Sequence, residues 1–441
     1  MLPKQVFKKR REAFMRQMKE GVALFLSAPS MIRNNDVEQE FRQDSNFYYL
    51  TGFDEPDSAC LLLPRGKKEK YILFVRPRNK NEEIWVGHRA GVEGAVKEFR
   101  ADKAYPMSEL ASRLDPYLAG SKILYFQMGA RPEIDKLITE KLSHLRARAR
   151  AGLLAPSEFR DPMTIVHEMR LIKSPQELRA LREASSVSAK AHEMAMRATK
   201  PGLYEYEVDA ILKYYFRRSG SPRLGYPTIV ASGHNATTLH YNANNRKMKS
   251  GDLLLIDAGT EIDYMTADIT RTFPVNGKFT QPQAAVYALV LEAQAAAIRH
   301  VRPGVTFESV HEIAVKKLTE GLKKLGVLKG SVRKLIENKS YVRFYMHRTG
   351  HWLGMDVHDS GAYYTNGKSR KLQPGMVLTV EPGLYFRSDE KAYPRQFRGI
   401  GVRIEDDVVV TRAGREVLTQ EAPRTISELE SIIGTGVTIK R

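Results

Sequence analysis

The chain has 441 residues, 42% apolar and 27% charged, which is ordinary for a soluble globular protein of two or three domains. Lys and Arg total 70 against 51 Asp and Glu, a net charge of +19 with a pI near 9.7, which points to anionic partners but to no particular fold. One cysteine, Cys60, excludes an intrachain disulfide framework and a multi-cysteine zinc site, and no apolar run reaches the roughly 18 residues of a membrane span.

In chain order, Lys8–Arg11 precede the apolar run Gly21–Ala28, which superficially resembles a signal peptide. The leading stretch is too long for one and carries Glu12 and Glu20, so an amphipathic helix followed by a buried strand is expected, in a mature cytoplasmic protein. Cys60–Leu63, Tyr71–Phe74 and Lys122–Phe126 read as buried strands, with a helical pattern over Met107–Leu114 between them. These alternating elements make residues 1–172 an α/β domain. Ser174-Pro175-Gln176-Glu177 is a capping box with proline at the first helical position. It opens a long helix to about Thr199, ended by Pro201-Gly202. A helix over Tyr204–Ser219, strands from Thr228 to Thr272, helices over Gln281–Val301 and Phe307–Leu325, and a strand-rich stretch from Tyr341 to Thr411 follow. Residues 173–441 are therefore expected to form an α+β domain.

Several chemistries lack an anchor. There is no G-x-S-x-G elbow and no H-E-x-x-H. Gly361–Ser369 ends like a phosphate loop, but five residues separate Gly361 from Gly367 where the motif needs four. The acidic residues are more informative. Asp257 ends the apolar run Asp252–Asp257, and Asp268 lies in Tyr264–Phe273, so a hairpin with one acid on each arm is expected. Glu381 ends Val377–Val380 before a Pro-Gly turn. In Gly399–Val410, alternation puts Gly399, Gly401, Arg403 and Glu405 on one strand face. His347, His351 and His358 fall within twelve residues of a chain with eleven histidines, and His240 stands near a strand end.

Each feature alone has a plain structural reading. Asp257 could be a turn residue paired with Arg271, Glu381 a solvated or paired acid, the glycine face solvent-exposed, and the histidine cluster structural. Together they form a set. Four acids and one imidazole without sulfur suit two hard or borderline divalent cations such as manganese. Two such cations can deprotonate a shared water, and the remaining histidines can hydrogen-bond a carbonyl oxygen as it gains charge.

The five segments I-D-A-G, A-D-I-T-R-T-F, T-G-H-W-L-G, T-V-E-P-G-L-Y and V-R-I-E-D-D carry Asp257, Asp268, His351, Glu381 and Glu405. They resemble the ligand motifs of the pita-bread metallopeptidases, and His351–Asp359 with Glu381–Tyr385 resembles the aminopeptidase P branch. Asn35–Glu38, Phe41–Phe53 and Ile84–Gly87 resemble that branch's N-terminal domain. The resemblance implies a pita-bread (creatinase/aminopeptidase-like) catalytic domain whose metal ligands are Asp257, Asp268, His351, Glu381 and Glu405. It implies two divalent ions, most readily Mn2+, with Asp268 and Glu405 bridging them and Glu381 also shuttling a proton. It gives His240 and His358 the orientation of substrate and stabilisation of the oxyanion. His347, Arg403 and Tyr385 become positioning groups, and Asp36 and Trp85 reach a neighbouring subunit's active site.

The implied activity is release of the N-terminal residue from peptides with proline second, by attack of a hydroxide held between two metal ions. An Xaa-Pro bond lacks the N–H that ordinary peptidases use. A homo-oligomer, dimer or tetramer, is implied, with no nucleic-acid or membrane partner. The alternatives are a prolidase cutting Xaa-Pro dipeptides, a metal-free creatinase-like hydrolase, and a non-catalytic binding protein of the same fold. The charge of +19 is the argument for the last, but its basic residues are scattered and do not interleave with aromatics.

Overall fold

A computed structural model of the chain describes residues 2–66 and 68–436. Two compact units divide it, Met1–Met169 and Arg170–Arg441. The second begins just ahead of the Ser174 capping box because Arg170 is already tied into it. Its guanidinium donates to Asp356 (2.6 Å) and Asp359 (2.5 Å). Among the described residues no helix is long and apolar enough to cross a membrane.

The first unit is built on a six-stranded mixed sheet. Its order is Lys103–Pro106, Tyr71–Val75, Ala59–Leu62, Val22–Leu26, Ile123–Tyr125 and Glu158–Arg160. The basic N-terminal stretch is the helix Lys4–Met18, and Val22–Leu26 is a central strand. Phe7, Phe14 and Met18 are buried at i, i+7 and i+11 spacing, the period of an amphipathic helix. A core of Leu24, Leu61, Ile72, Phe74, Leu114, Leu124 and Ile138 joins sheet and helices. The expected helix from Met107 is a 3-10 turn, Met107–Glu109, followed by an α-helix over Leu110–Leu118.

In the second unit Ser174 caps the helix Pro175–Ala198, and both halves of the capping box form. Its buried face is largely alanine and serine, which lets a strand approach closely. Ser188 Oγ accepts from Thr260 N (3.1 Å), and the His192 Nε2 atom lies 3.0 Å from Ala258 O. Helices Glu205–Arg218, Gln281–His300 and Phe307–Lys324 pack with short antiparallel sheets around one apolar core. Three pieces of sheet position the site. Leu253–Asp257 pairs with Ile229–Ser232 and Thr270–Pro274, Val377–Val380 pairs with Asp406–Thr411, and Gly383–Phe386 pairs with Ile400–Arg403. Backbone bonds stitch them together, Glu405 N to Thr270 O (3.1 Å) and Thr379 N to His351 O (3.0 Å).

The stretch Gly361–Ser369 contains a hairpin, Tyr364–Thr365 against Lys368–Ser369. Asn366 and Gly367 at its tip both have left-handed backbone (φ 51° and 72°), the requirement of a tight hairpin turn.

Candidate metal centre

Asp257 is the last residue of its strand and pairs with Thr270 across the hairpin. Asp268 stands just before the returning strand Thr270–Pro274. The close approach of the two arms depends on Gly259, where a Cβ would meet Ala267 O at 1.7 Å. Glu381 follows the strand Val377–Val380, and the segment carrying His351 runs beside it, with Glu381 N bonded to Thr349 O (2.8 Å). Glu405 lies between the strands Ile400–Arg403 and Asp406–Thr411. Four separate strand ends thus deliver these side chains to one place.

Ligand atoms of Asp268, His351 and Glu405 all lie within 4.8 Å of one another. His351 Nε2 is 3.4 Å from Asp268 Oδ2 and 3.6 Å from Glu381 Oε1. Its Nδ1 is 3.0 Å from the Trp352 carbonyl, which can only accept, so Nδ1 carries the hydrogen and Nε2 faces the carboxylates. Thr270 Oγ1 donates to Glu405 Oε2 (2.6 Å), and Asp268 N donates to Asp407 Oδ2 (3.0 Å). Asp257 stands slightly apart. Both of its oxygens are taken, Oδ1 by the Tyr226 hydroxyl (2.7 Å) and Oδ2 by Arg403 Nη2 (2.6 Å).

The electrostatics are those of acids short of positive charge. Burial, then the neighbouring carboxylates Asp268, Glu381 and Asp257, holds Glu405 well above the usual carboxylate range. Burial raises Asp268 as well, with Asp257 adding to it against the pull of His351. Glu381 is pushed up to about 7, first by burial, with His351 and Arg403 pulling the other way. For His351 burial opposes the charged form, but Asp268 and Glu381 outweigh it and raise the ring to about 9. Crowded oxygen donors with one imidazole and no thiolate suit divalent cations of the hard or borderline kind, and bound cations relieve this repulsion. The donor set fits such a centre.

A cavity of about 980 Å3 opens onto these groups. Pro227, Ile229, Leu239, Phe307 and Tyr363 line it on the apolar side. His240 and His358 line it too, both exposed. The His358 ring meets the His351 ring edge-on at 4.4 Å between centroids, and partial desolvation against the cavity wall, then His351, lowers its pKa.

Residues 179–412 match metallopeptidase family M24, and residues 7–125 match the aminopeptidase P N-terminal domain. The chain belongs to the M24 metallopeptidases. Curated relatives include the Xaa-Pro aminopeptidases of Escherichia coli and Haemophilus influenzae, each 43% identical over 98% of both chains. Among solved structures, Pseudomonas aeruginosa aminopeptidase PepP superposes with a TM-score of 0.96 at 46% identity, covering 98% of each chain. The zinc-substituted E. coli aminopeptidase P in complex with product gives 0.95 at 43% identity, again over 98% of each. The two-domain architecture of this M24 chain, an N-terminal aminopeptidase P domain followed by a pita-bread catalytic domain, is therefore that of its relatives.

In this M24 chain, Asp257, Asp268, His347, His351, His358, Glu381, Arg403, Glu405 and His240 all border one cavity. Tyr385 lies behind it, with its hydroxyl 3.1 Å from Arg403 Nη1 and 2.9 Å from His347 Nε2. The His347 Nδ1 atom faces the Arg348 carbonyl (2.8 Å), so both ring nitrogens are engaged by the chain itself. Burial, then Arg403, pushes His347 down to about 3 and keeps it neutral. Asp36 and Trp85 belong to the first unit. Asp36 is exposed at the tip of the hairpin Ile32–Asn34/Val37–Glu38, and Trp85 is 87% exposed on the helix Lys80–Val86.

Two details differ from expectation. Asp257 does not pair with Arg271. Across the hairpin Arg271 faces Ile256, so its side chain leaves on the opposite sheet face and pairs with buried Asp406 (2.7 Å). Nor is the glycine face of Gly399–Glu405 open to solvent at Gly401, where a Cβ would meet Ala236 O at 2.1 Å. Sequence reasoning missed Tyr226, whose hydroxyl lies 2.7 Å from Asp257 Oδ1 and 2.5 Å from Asp268 Oδ1 and shares its one hydrogen between them. Nothing marks it among 20 tyrosines.

Proposed function

We propose that the chain is a metal-dependent Xaa-Pro aminopeptidase that releases the N-terminal residue from peptides with proline in the second position. The observation that carries this is the cluster of Asp268, His351 and Glu405, with Glu381 against it, at the polar end of a cavity with an apolar wall. The relatives' activity favours this reading over an Xaa-Pro dipeptidase and over a non-catalytic binding protein.

Asp257, Asp268, His351, Glu381 and Glu405 would hold two divalent ions, Mn2+ being the expected pair. Bound there, the ions supply positive charge that acidifies water and polarises the scissile carbonyl. The protein's residues do the rest. Glu381, at the edge of the cluster, takes a proton from the attacking water at its carboxylate and hands it to the proline nitrogen as the bond breaks. His358, held neutral, donates to the carbonyl oxygen as charge develops, and His240 on the same cavity serves the same oxygen. Pro227, Ile229, Leu239 and Phe307 offer a dry surface for a proline ring, which has no N–H to satisfy. Arg403, Tyr385 and His347 form a bonded chain that fixes the floor of the site.

The homo-oligomer, dimer or tetramer, is supported by the helix Lys80–Val86. Ile84, Trp85 and Val86 on it are 79%, 87% and 58% exposed, an apolar patch suited to a second copy. Asp36 and Trp85 would serve the neighbouring subunit's substrate there. A cytoplasmic location without nucleic-acid partners completes the proposal. Replacing Asp268 with Asn or His351 with Ala tests it. Hydrolysis and metal content should fall together, and a variant that keeps full activity after chelation would overturn the metal-dependent reading.

A further inference from the structure

One group of basic residues gathers around a cavity away from the metal site. A second cavity, about 990 Å3, lies in the first unit between the helix Lys4–Met18, the residues Pro64, Lys70 and Tyr71, and Val96, Arg100, Ala101 and Asp102. Lys4, Lys8, Arg11, Arg16, Lys19, Lys70 and Arg100 line it, against the two carboxylates Glu12 and Asp102. Asp102 is already committed, because Oδ2 accepts the backbone amides of Lys70 (2.8 Å) and Tyr71 (2.9 Å). Glu12 sits 3.9 Å from Lys8. Among the described residues Lys4, Arg16, Lys19, Lys70 and Arg100 pair with no carboxylate.

Three further features describe the cavity wall. Arg11 is only 4% exposed, with its guanidinium 3.8 Å over the Tyr71 ring and Nη1 bonded to Leu50 O (2.9 Å). Tyr71 is 3% exposed, and its hydroxyl has no hydrogen-bond partner among the described residues. Lys19 and Arg100 both hold left-handed backbone, φ 63° and 60°, where glycine or asparagine is the easy choice. Lys19 closes the helix Lys4–Met18 as its C-cap, and both residues line the cavity.

We infer that this cavity is a binding site for a phosphate chain. Crowded cations repel one another unless a multivalent anion lies among them. Arginine forks and lysine point charges together match phosphate oxygens. The Tyr71 face is already covered by Arg11, and no other aromatic side chain lines the cavity for a base to stack on. The phosphate chain itself is what the site recognises, whether free or carried by a nucleotide. Such a site owes nothing to the peptidase reading and stands or falls apart from it.

Equilibrium dialysis of the full chain against radiolabelled inorganic tripolyphosphate tests this. One saturable site is expected, weakened by raised salt. A Lys8→Ala/Arg100→Ala variant should bind about tenfold or more weakly, as the loss of two charge-assisted contacts implies, with peptidase activity unchanged. Both residues are exposed, so folding should be kept, and Lys4→Ala/Lys70→Ala provides an independent second variant. Asp268→Asn, altered in the other cavity, should bind as the parent does. ATP binding as tightly as tripolyphosphate identifies the chain alone as the ligand, and markedly tighter ATP binding identifies a nucleotide. No saturable binding, unchanged affinity in both double variants, or loss of binding in Asp268→Asn would overturn the inference.

Discussion

Arg403 and Asp257 form a buried ion pair at 2.6 Å, and the same guanidinium also donates to Tyr385 and Thr270 (both 3.1 Å). One cation therefore fixes an acid of the proposed metal set, a hydroxyl behind the cavity, and the threonine that binds Glu405. Truncating one partner of a buried charge pair leaves the other uncompensated, at a cost of about 3–5 kcal/mol. Arg403→Ala should lower kcat/KM by roughly two to three orders of magnitude. Arg403→Lys should recover only part of this, because it keeps the charge but not the three-way fork. Steady-state kinetics of the two variants decide it, and a wild-type rate in Arg403→Ala would contradict the role.

Tyr226→Phe removes a single hydroxyl shared by Asp257 and Asp268 while keeping the ring. Burial, with these carboxylates, keeps that hydroxyl protonated and so always a donor. Outer hydrogen bonds of this kind change metal affinity by about 10–100-fold. Calorimetric titration of metal-free protein with Mn2+ should show weaker binding within that range, and identical isotherms would remove Tyr226 from the account.

Glu205 is fully buried and accepts from Ser232 N (2.6 Å), Ser232 Oγ (2.7 Å), Tyr241 Oη (2.8 Å) and Arg246 N (2.8 Å). It thereby ties down the loop that presents His240 to the cavity. Glu205→Ala should cost about 2–4 kcal/mol of stability through orphaned donors. It should also raise KM, and a melting temperature and KM both unchanged would show that the loop is held by other means.

How much of this was legible in the sequence follows from how each residue announces itself. Asp257, Glu381 and Glu405 each end or interrupt an apolar strand, where an acid is conspicuous. Tyr226 and Glu205 announce nothing. Tyr226 meets its partners 31 and 42 positions away, and only the closed fold reveals the contact. Arg271 misled because it is close to Asp257 in the hairpin, yet strand alternation sends it to the other face and to Asp406. The helices were readable from caps and period, above all Pro175–Ala198, because those signals are local.

Asp359 gives a pH prediction. It is buried between Lys173 (2.9 Å) and Arg170 (2.5 Å), and although burial opposes ionisation, these two cations hold its pKa below the usual value. A depressed carboxyl stabilises the fold fully above its unfolded pKa of about 4, and that contribution is lost as pH falls through the folded value. At pH 7 Asp359→Asn should therefore be less stable than the parent by about 3–5 kcal/mol, since buried Lys173 loses its carboxylate and Arg170 keeps only Asp356. Urea midpoints of parent and variant, at equal metal loading, should converge as pH drops below about 4. A gap independent of pH would contradict the ion-pair explanation.

The central claim is metal-dependent cleavage directed by proline. Its most direct test compares hydrolysis of Xaa-Pro-Yaa with Xaa-Ala-Yaa by the intact chain with added Mn2+, following release of the first residue. The account predicts rapid release from the proline peptide, abolished by chelation and restored by metal, with the alanine peptide cut far more slowly. Equal rates on the two peptides would contradict it.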